Sequence, residues 1–423
     1  MLKNWSRIAL ASFLVLSLGA SAVFATTSRV RSLANVGDYI SDDSAVNRWY
    51  STLTSFANQV NAEMGAWDGF SLNGTRGLGW THACGDDGKW GTYRISLNES
   101  SLNSPGFWIG NPFYQIHSPQ DLGALNDPTP GVFQDTPVNR WDLAGGWDLG
   151  DNMALGVAIT QSKWKYEDTG ANLKASDSWL TLGAGFTWTN NDNMTFDAAA
   201  NFGMAGGEGD DGTTKVEWDS NTAIDFLARL FYDWKDDVTL VPMAEFTTSD
   251  YSLKSSDANN PIPVPNGQKI TDFMVGLGLN MDVNQDNMLV FAMEVMTRKA
   301  ENSNADSTSS EITLTYMPTM RLALESHITS WLTTRVGAAK YLVNYKDKYN
   351  GGEENVGMGT PGTIGGGPDG FDWFLGCGFN VAEWTIDMEL ADQTPFTLGY
   401  WLTGYSGYSA QGPVARISAV YNY

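Results

Sequence analysis

Met194-Thr195-Phe196-Asp197-Ala198-Ala199-Ala200-Asn201-Phe202-Gly203-Met204 decides the fold. Its even positions are Met, Phe or Ala throughout, while the odd ones bring Thr195, Asp197, Asn201 and Gly203. A period of two sends alternate side chains to opposite faces, so this is a strand with one apolar and one polar side. The same rule holds downstream. Ile224, Phe226, Ala228, Leu230, Tyr232 and Trp234 alternate with Asp225, Leu227, Arg229, Phe231 and Asp233. Val238 to Thr247 and Ile312 to Glu325 repeat it. Strands of a soluble sandwich run about 5–6 residues. These segments are about twice that, the length of a tilted membrane strand. The apolar face therefore meets lipid and the polar face a lumen.

Short Asp/Asn turns follow, at 148–153, 190–194, 235–237 and 284–288, with longer loops expected between them at 163–177, 205–220, 252–267 and 299–309. Short turns at one end and long loops at the other is the layout of bacterial outer-membrane barrels, with the short end periplasmic. Strands are expected near 89–98, 138–149, 151–166, 176–188, 193–204, 221–234, 237–251, 267–282, 286–299, 308–324, 329–345, 369–381, 384–391 and 412–423. Two weaker candidates, 57–65 and 76–84, raise the total from 14 to 16. The expected fold is all-β, a transmembrane antiparallel up-and-down barrel of 14–16 strands, with 16 preferred. Its expected domains are a signal peptide at 1–25, a plug-like luminal or periplasmic segment at 26–56 and the barrel at 57–423.

The signal-peptide reading rests on Lys3 and Arg7, the apolar run Ile8–Ala22 and the small-residue close Val23-Phe24-Ala25. It implies export through the inner membrane toward a Gram-negative-type outer membrane. Composition agrees: 45 Gly, 17 Trp, 16 Tyr and 19 Phe, with 17% charged residues, against about 25% in soluble domains. A net charge of −23 repels phosphate and excludes nucleic acid as a partner. Cys84 and Cys377 are too few for a disulfide framework, and whether they pair is open. The chain ends on Ala415, Ile417, Ala419, Tyr421 and Tyr423, alternating to the terminal aromatic. That pattern resembles the signal read by the barrel-assembly machinery, an expected partner alongside outer-membrane lipid and small solutes.

Residues 28–46 carry a family resemblance. Arg31, Leu33, Ala34, Gly37, Asp42, Asp43, Ala45 and Val46 match in order the opening of FadL/PorV-like barrels. Asp38 stands where that opening has a second glycine, and Trp49-Tyr50-Ser51-Thr52-Leu53 stands where it has Asn-Pro-Ala-Gly-Leu. The resemblance covers about 20 residues and implies a barrel whose N-terminal segment folds into the lumen, with Arg31, Asp38, Asp42 and Asp43 as plug residues.

No catalytic motif stands out. His82, His117 and His327 lie in no metal-binding or Cys-x-x-Cys pattern, and neither His117-Ser118 nor His327 with Ser330 has a spacing that marks a hydrolase. Gly365 to Gly370 fits Gly-x-Gly-x-x-Gly but sits in a loop without the flanking strand and helix. No enzyme activity, metal or cofactor is expected. Strand phase points Arg94, Arg140, Arg229, Arg298, Arg321, Arg335 and Arg416 inward. It does the same for Asp142, Asp197, Asp225, Asp233, Glu245, Asp272, Glu294, Asp372, Asp387 and Glu389. An arginine facing lipid at the midplane would cost about 2–4 kcal/mol. Glu208, Asp210, Asp211, Asp306, Glu353, Glu354 and Asp369 are expected on outer loops as solvated charge, and the Pro- and aromatic-bearing stretch 99–137 as a long functional loop. The expected function is a porin-like channel for small polar solutes. The alternatives are a FadL-like carrier of hydrophobic molecules and a non-conducting surface or secretion-partner barrel.

Overall fold

The computed structural model describes residues 26–65, 75–85, 88–101, 137–170, 173–190, 193–210, 215–255, 267–303, 309–349, 355–358, 371–390 and 414–423. Residues 1–25, and 102–136 of the long loop, lie outside these ranges.

Among the described residues, seventeen strands close into one antiparallel ring that follows sequence order, with β13 pairing both β14 and β15. They are β1 (Gln59–Gly65), β2 (Thr75–Ala83), β3 (Thr92–Ser101), β4 (Pro137–Asp148), β5 (Met153–Asp168) and β6 (Leu173–Asn190). Then come β7 (Met194–Asp210), β8 (Lys215–Lys235), β9 (Val238–Ser255), β10 (Gly267–Asn284), β11 (Asn287–Ser303) and β12 (Ser309–Thr329). The ring ends with β13 (Leu332–Tyr349), β14 (Asn355–Met358), β15 (Phe371–Val381), β16 (Trp384–Leu390) and β17 (Val414–Asn422). β14 pairs with the outer part of β13 (Asn344↔Met358) and β15 with its inner part (Leu332↔Phe379), so the two share one place in the wall. The barrel therefore has sixteen staves. β1 closes it against β17, from Gln59↔Asn422 to Gly65↔Arg416.

The two weaker strand candidates are thus β1 and β2, and the larger count holds. Several expected loops are instead strand. β5 and β6 run to Asp168 and from Leu173, β7 and β8 to Asp210 and from Lys215, and β9 to Ser255. Beyond the hydrocarbon both faces of a strand meet water, so the apolar alternation fades while backbone pairing continues. Glu208 and Asp210 consequently lie in β7 rather than on a loop. Asp211, Asp306, Glu353, Glu354 and Asp369 fall outside the described residues.

The outer face carries the apolar positions read from the sequence. Phe202, Phe226, Phe246, Phe273, Leu277, Phe291 and Leu322 are exposed large hydrophobics. Near the short turns this band ends in aromatic rings. Trp80 stacks on His82 (centroids 5.4 Å) and His82 on Tyr423 (6.1 Å), Trp331 stacks on Phe379 (6.2 Å), and Trp384 packs tilted against Tyr421 (4.9 Å). Amphipathic rings at this level are the interfacial girdle of a membrane barrel. Cys84 and Cys377 are free thiols.

The N-terminal residues lie inside the ring. They form a short helix, α1 (Thr27–Ser32), and three 3-10 turns, η1 (Gly37–Tyr39), η2 (Asp43–Asn47) and η3 (Tyr50–Phe56). Thr26 caps α1 by accepting from the Arg29 amide, and Asp42 caps η2 by accepting from the Ser44 amide. The wall meets this segment with glycines. A Cβ on Gly156 would collide with the Tyr50 carbonyl, on Gly183 with the Tyr50 ring, on Gly278 with the Tyr39 ring and on Gly337 with the Ala34 backbone. The inward glycines are therefore the footprint of the inner segment on β5, β6, β10 and β13. Gly156→Ala is expected to cost about 1–3 kcal/mol by overpacking, whereas Gly206→Ala, with its nearest neighbour 3.9 Å away, should be silent. Urea unfolding of the two variants in detergent checks this, and equal midpoints would contradict the footprint.

Candidate luminal site

Three kinds of contact hold the inner segment. The first is apolar. Leu33, Val36, Tyr39, Ile40, Ala45 and Trp49 form one buried cluster with the inward Ala199, Leu227, Val241, Met243, Val290, Ala292 and Ala323 of the wall. On β7, β8, β9, β11 and β12 the luminal face thus carries apolar residues among its polar ones, where it receives this cluster.

The second is a set of buried ion pairs. The Arg229 guanidinium lies between the Trp49 and Phe231 rings, 4.4 and 4.7 Å from their centroids. Its Nε donates to Asp197 (2.9 Å) and its Nη1 to the Asp38 carbonyl (3.1 Å). Arg48 bridges Asp38 and Glu245, the latter at 2.6 Å, and the Trp49 indole also donates to Asp38 (3.0 Å). Arg321 pairs with Glu294 (3.2 Å) and donates to the Ala34 carbonyl (2.8 Å). Four residues along β12 from Arg321, Glu325 accepts from Arg29 (2.7 and 2.8 Å) and from Arg335 (2.6 Å). Arg335 continues to Asp387 (2.6 Å), which also accepts from Thr26 (2.9 Å). Arg416 reaches Glu63 (2.6 Å) and Glu389 (3.6 Å), and Glu389 meets Arg31 at 3.3 Å.

Most residues chosen by strand phase thus meet at the segment or bond to their wall neighbours. Asp225 accepts from Asn201 (3.1 Å) and Thr247 (2.9 Å), and Asp142 from Ser96 (2.9 Å) and Thr160 (2.6 Å). Arg298 binds Asp272 at 2.6 Å, Asp233 accepts from Thr239 at 2.6 Å and Arg94 donates to Thr81 at 3.1 Å. Asp372 is half-buried on β15, and Arg140 stands on β4 between Asn98 and Ser162. His327 bonds Thr333 (2.9 Å), and His117 lies outside the described residues. Four central residues were absent from the sequence-based set. Glu325 shares the phase of Arg321 and was available by that rule. Glu63 sits on the short β1, while Arg29 and Arg48 lie on an irregular segment that has no period to read.

Asp42 is buried and accepts from the Ser44 amide (3.0 Å), with Arg29 at 3.7 Å. Its neighbour Asp43 is also buried, and its Oδ1 has no hydrogen-bond partner. Burial pushes the Asp43 carboxyl well above the usual carboxylate range, with Asp42 and Asp387 adding to the shift and Arg94 and Arg29 opposing it.

The third feature is a cavity of about 1010 Å³ at the short-turn mouth, between η3 and the wall from β4 to β11. Nine Ser and Thr residues and five aspartates line it, with no Lys, Arg or His among the described lining residues. Asp197 is neutralised by Arg229. Asp148, Asp151, Asp233 and Asp282 are exposed along its lining.

Fold and site together define an outer-membrane-type β-barrel with an N-terminal segment docked in its lumen. Among solved structures, the chain is similar to the Pseudomonas putida toluene transporter TodX, at 10% identity over 95% of this chain and 99% of that one (TM-score 0.42). It is also similar to the copper transporter OprC, at 11% over 79% and 61% (0.40), and to the alcaligin outer-membrane receptor FauA of Bordetella pertussis, at 11% over 78% and 60% (0.40). The chain spans about three fifths of the length of OprC and FauA. No family model matches it, and no curated protein matches its sequence.

Proposed function

We propose that this chain is an outer-membrane channel for passive passage of small polar solutes, cations preferred, in which residues 26–56 form a plug and solutes pass beside it. The observation that carries this reading is the mouth cavity of about 1010 Å³, rich in hydroxyls and unneutralised aspartates. Hydroxyls replace part of a solute's hydration, and a carboxylate ring draws cations. A carrier of hydrophobic molecules would instead need an apolar crevice beside the plug. Two cavities beside the described part of the segment have mostly Ser, Thr, Asn, Asp and other polar residues in their lining.

Planar-bilayer recording tests the proposal. Stable steps are expected, with a reversal potential on the cation side under a salt gradient. Changing Asp148, Asp151, Asp233 and Asp282 to Asn should move that potential toward zero while strand content is unchanged. An unmoved potential would remove the cavity from the path. A second reading, a barrel with a sealed lumen, is favoured by the glycine footprint and the interlocked ion pairs. It predicts no steps from the intact chain.

A further inference from the structure

At the long-loop end the strands continue past the apolar band, and their outward faces do so in a repeated order. On β5 the outward residues run Val157, Ile159, Gln161, Lys163, and on β11 Met293, Val295, Thr297, Lys299. On β10 they run Phe273, Thr271, Lys269, and on β13 Leu342, Asn344, Lys346. On each of these strands a lysine stands four residues beyond the last outward apolar one, with a single amide or hydroxyl residue between. Four residues of strand span about 13 Å, or about 10 Å of height at the tilt of a membrane barrel. A lysine stem reaches back over apolar surface while its ammonium stays in the polar layer. These ammoniums therefore fall among the headgroups, which add about 5–8 Å to each side of the hydrocarbon.

Strand register gathers them. Thr271, Lys299, Thr313 and Lys346 are cross-strand partners in one row over β10–β13. The next row outward is Lys269, Glu301, Glu311 and Lys348, with Asp250 of β9 beside Lys269. The row nearer the lipid thus holds lysines and threonines and no carboxylate. Its two lysines flank β12, about 10 Å apart at two strand spacings, so one phosphate between them can accept from both. Lys299 also bonds Glu301 and Glu311, the latter at 3.1 Å. Such exposed pairs are weak, so they orient the ammonium without excluding an anion. A cationic row on a chain of net charge −23 is not a by-product of composition.

We propose that the outward face of β10–β13 at the long-loop end binds a phosphate of an outer-leaflet lipid headgroup. Lys299 and Lys346 donate to the phosphate, Thr313 lies between them, and Lys269 and Lys348 add charge one row farther out. The acyl chains of the same lipid lie on the stripe below, where Phe273, Met293, Met317 and Leu342 are exposed. The surface belongs to the membrane side of the wall and is independent of whether the lumen conducts.

Native mass spectrometry of the full chain in detergent tests this, counting bound lipid at stepped concentrations of diphosphoryl lipid A, its dephosphorylated form and inorganic phosphate. Saturable binding of diphosphoryl lipid A is expected, at least about tenfold tighter than the dephosphorylated form. Lys299→Gln with Lys346→Gln should weaken it about thirtyfold, and Lys299→Arg with Lys346→Arg should retain it. Lys89→Gln with Lys235→Gln, an equal change of charge at the short-turn end, should leave it unchanged. Circular dichroism checks that strand content is the same in every variant. Equal affinity for the two lipids would overturn the site, as would binding that survives the luminally remote Lys299/Lys346 glutamine pair or falls as far with the short-turn pair. Displacement by equimolar inorganic phosphate would assign the row to free phosphate and end the lipid assignment.

Discussion

Glu325→Gln should destabilise the folded barrel by about 3–5 kcal/mol, the penalty of breaking a buried ion pair from one side. Glu325 accepts from Arg29 of the plug and Arg335 of β13 in a site where all three side chains are at most 5% exposed. Arg335 keeps Asp387 at 2.6 Å. Arg29 keeps the longer 3.7 Å approach to Asp42, so the loss falls mainly on the plug. Adding Arg29→Met to Glu325→Gln should recover part of the stability, because the stranded guanidinium is then gone. The double-mutant cycle reads this coupling directly. Urea titration in detergent supplies the numbers. A loss below about 1 kcal/mol, the range of exposed pairs, would mean that water reaches the triad.

Deleting residues 27–56 should convert the barrel into a wide pore, with single-channel conductance rising by about an order of magnitude or more. Sixteen-stranded walls leave an aqueous lumen when nothing fills them. Here the inward face of β7–β12 gives up its apolar partners Leu33, Val36, Tyr39, Ile40 and Trp49. The exposed Leu227, Val241, Met243 and Val290 then face water, so some stability is lost too. The wall ladder of main-chain pairs is unaffected, because β1 starts at Gln59. Bilayer recording with intact and deleted chains decides the matter. Equal conductance would show that the segment does not occupy the path, and silence from both would end the channel reading.

The alternation in 194–204 and its repeats was enough to predict strands, their apolar lipid face and the direction of Asp197, Arg229, Arg321 and Glu389. Period two is a local property of an extended chain, so it survives in the sequence. The ends of β5 to β9 were not legible by that route, since outside the bilayer neither face is selected for apolarity. β14 shows the same limit: four residues of pairing against Asn344–Asp347 carry no period of their own.

Charge partners behave differently. The sequence places Arg416 and Glu389 on inward faces, yet Glu63 meets Arg416 from 353 positions away because β1 closes the ring beside β17. Likewise Arg29 finds Glu325 across 296 residues. Sequence by itself determined the class of protein: alternating strands, one lipid face, one polar face and an N-terminal segment unlike the rest. Tertiary structure alone decided what the polar face does. Ring closure and the plug bring distant charges within hydrogen-bond reach, and burial then makes each pairing, or its absence at Asp43, energetically decisive.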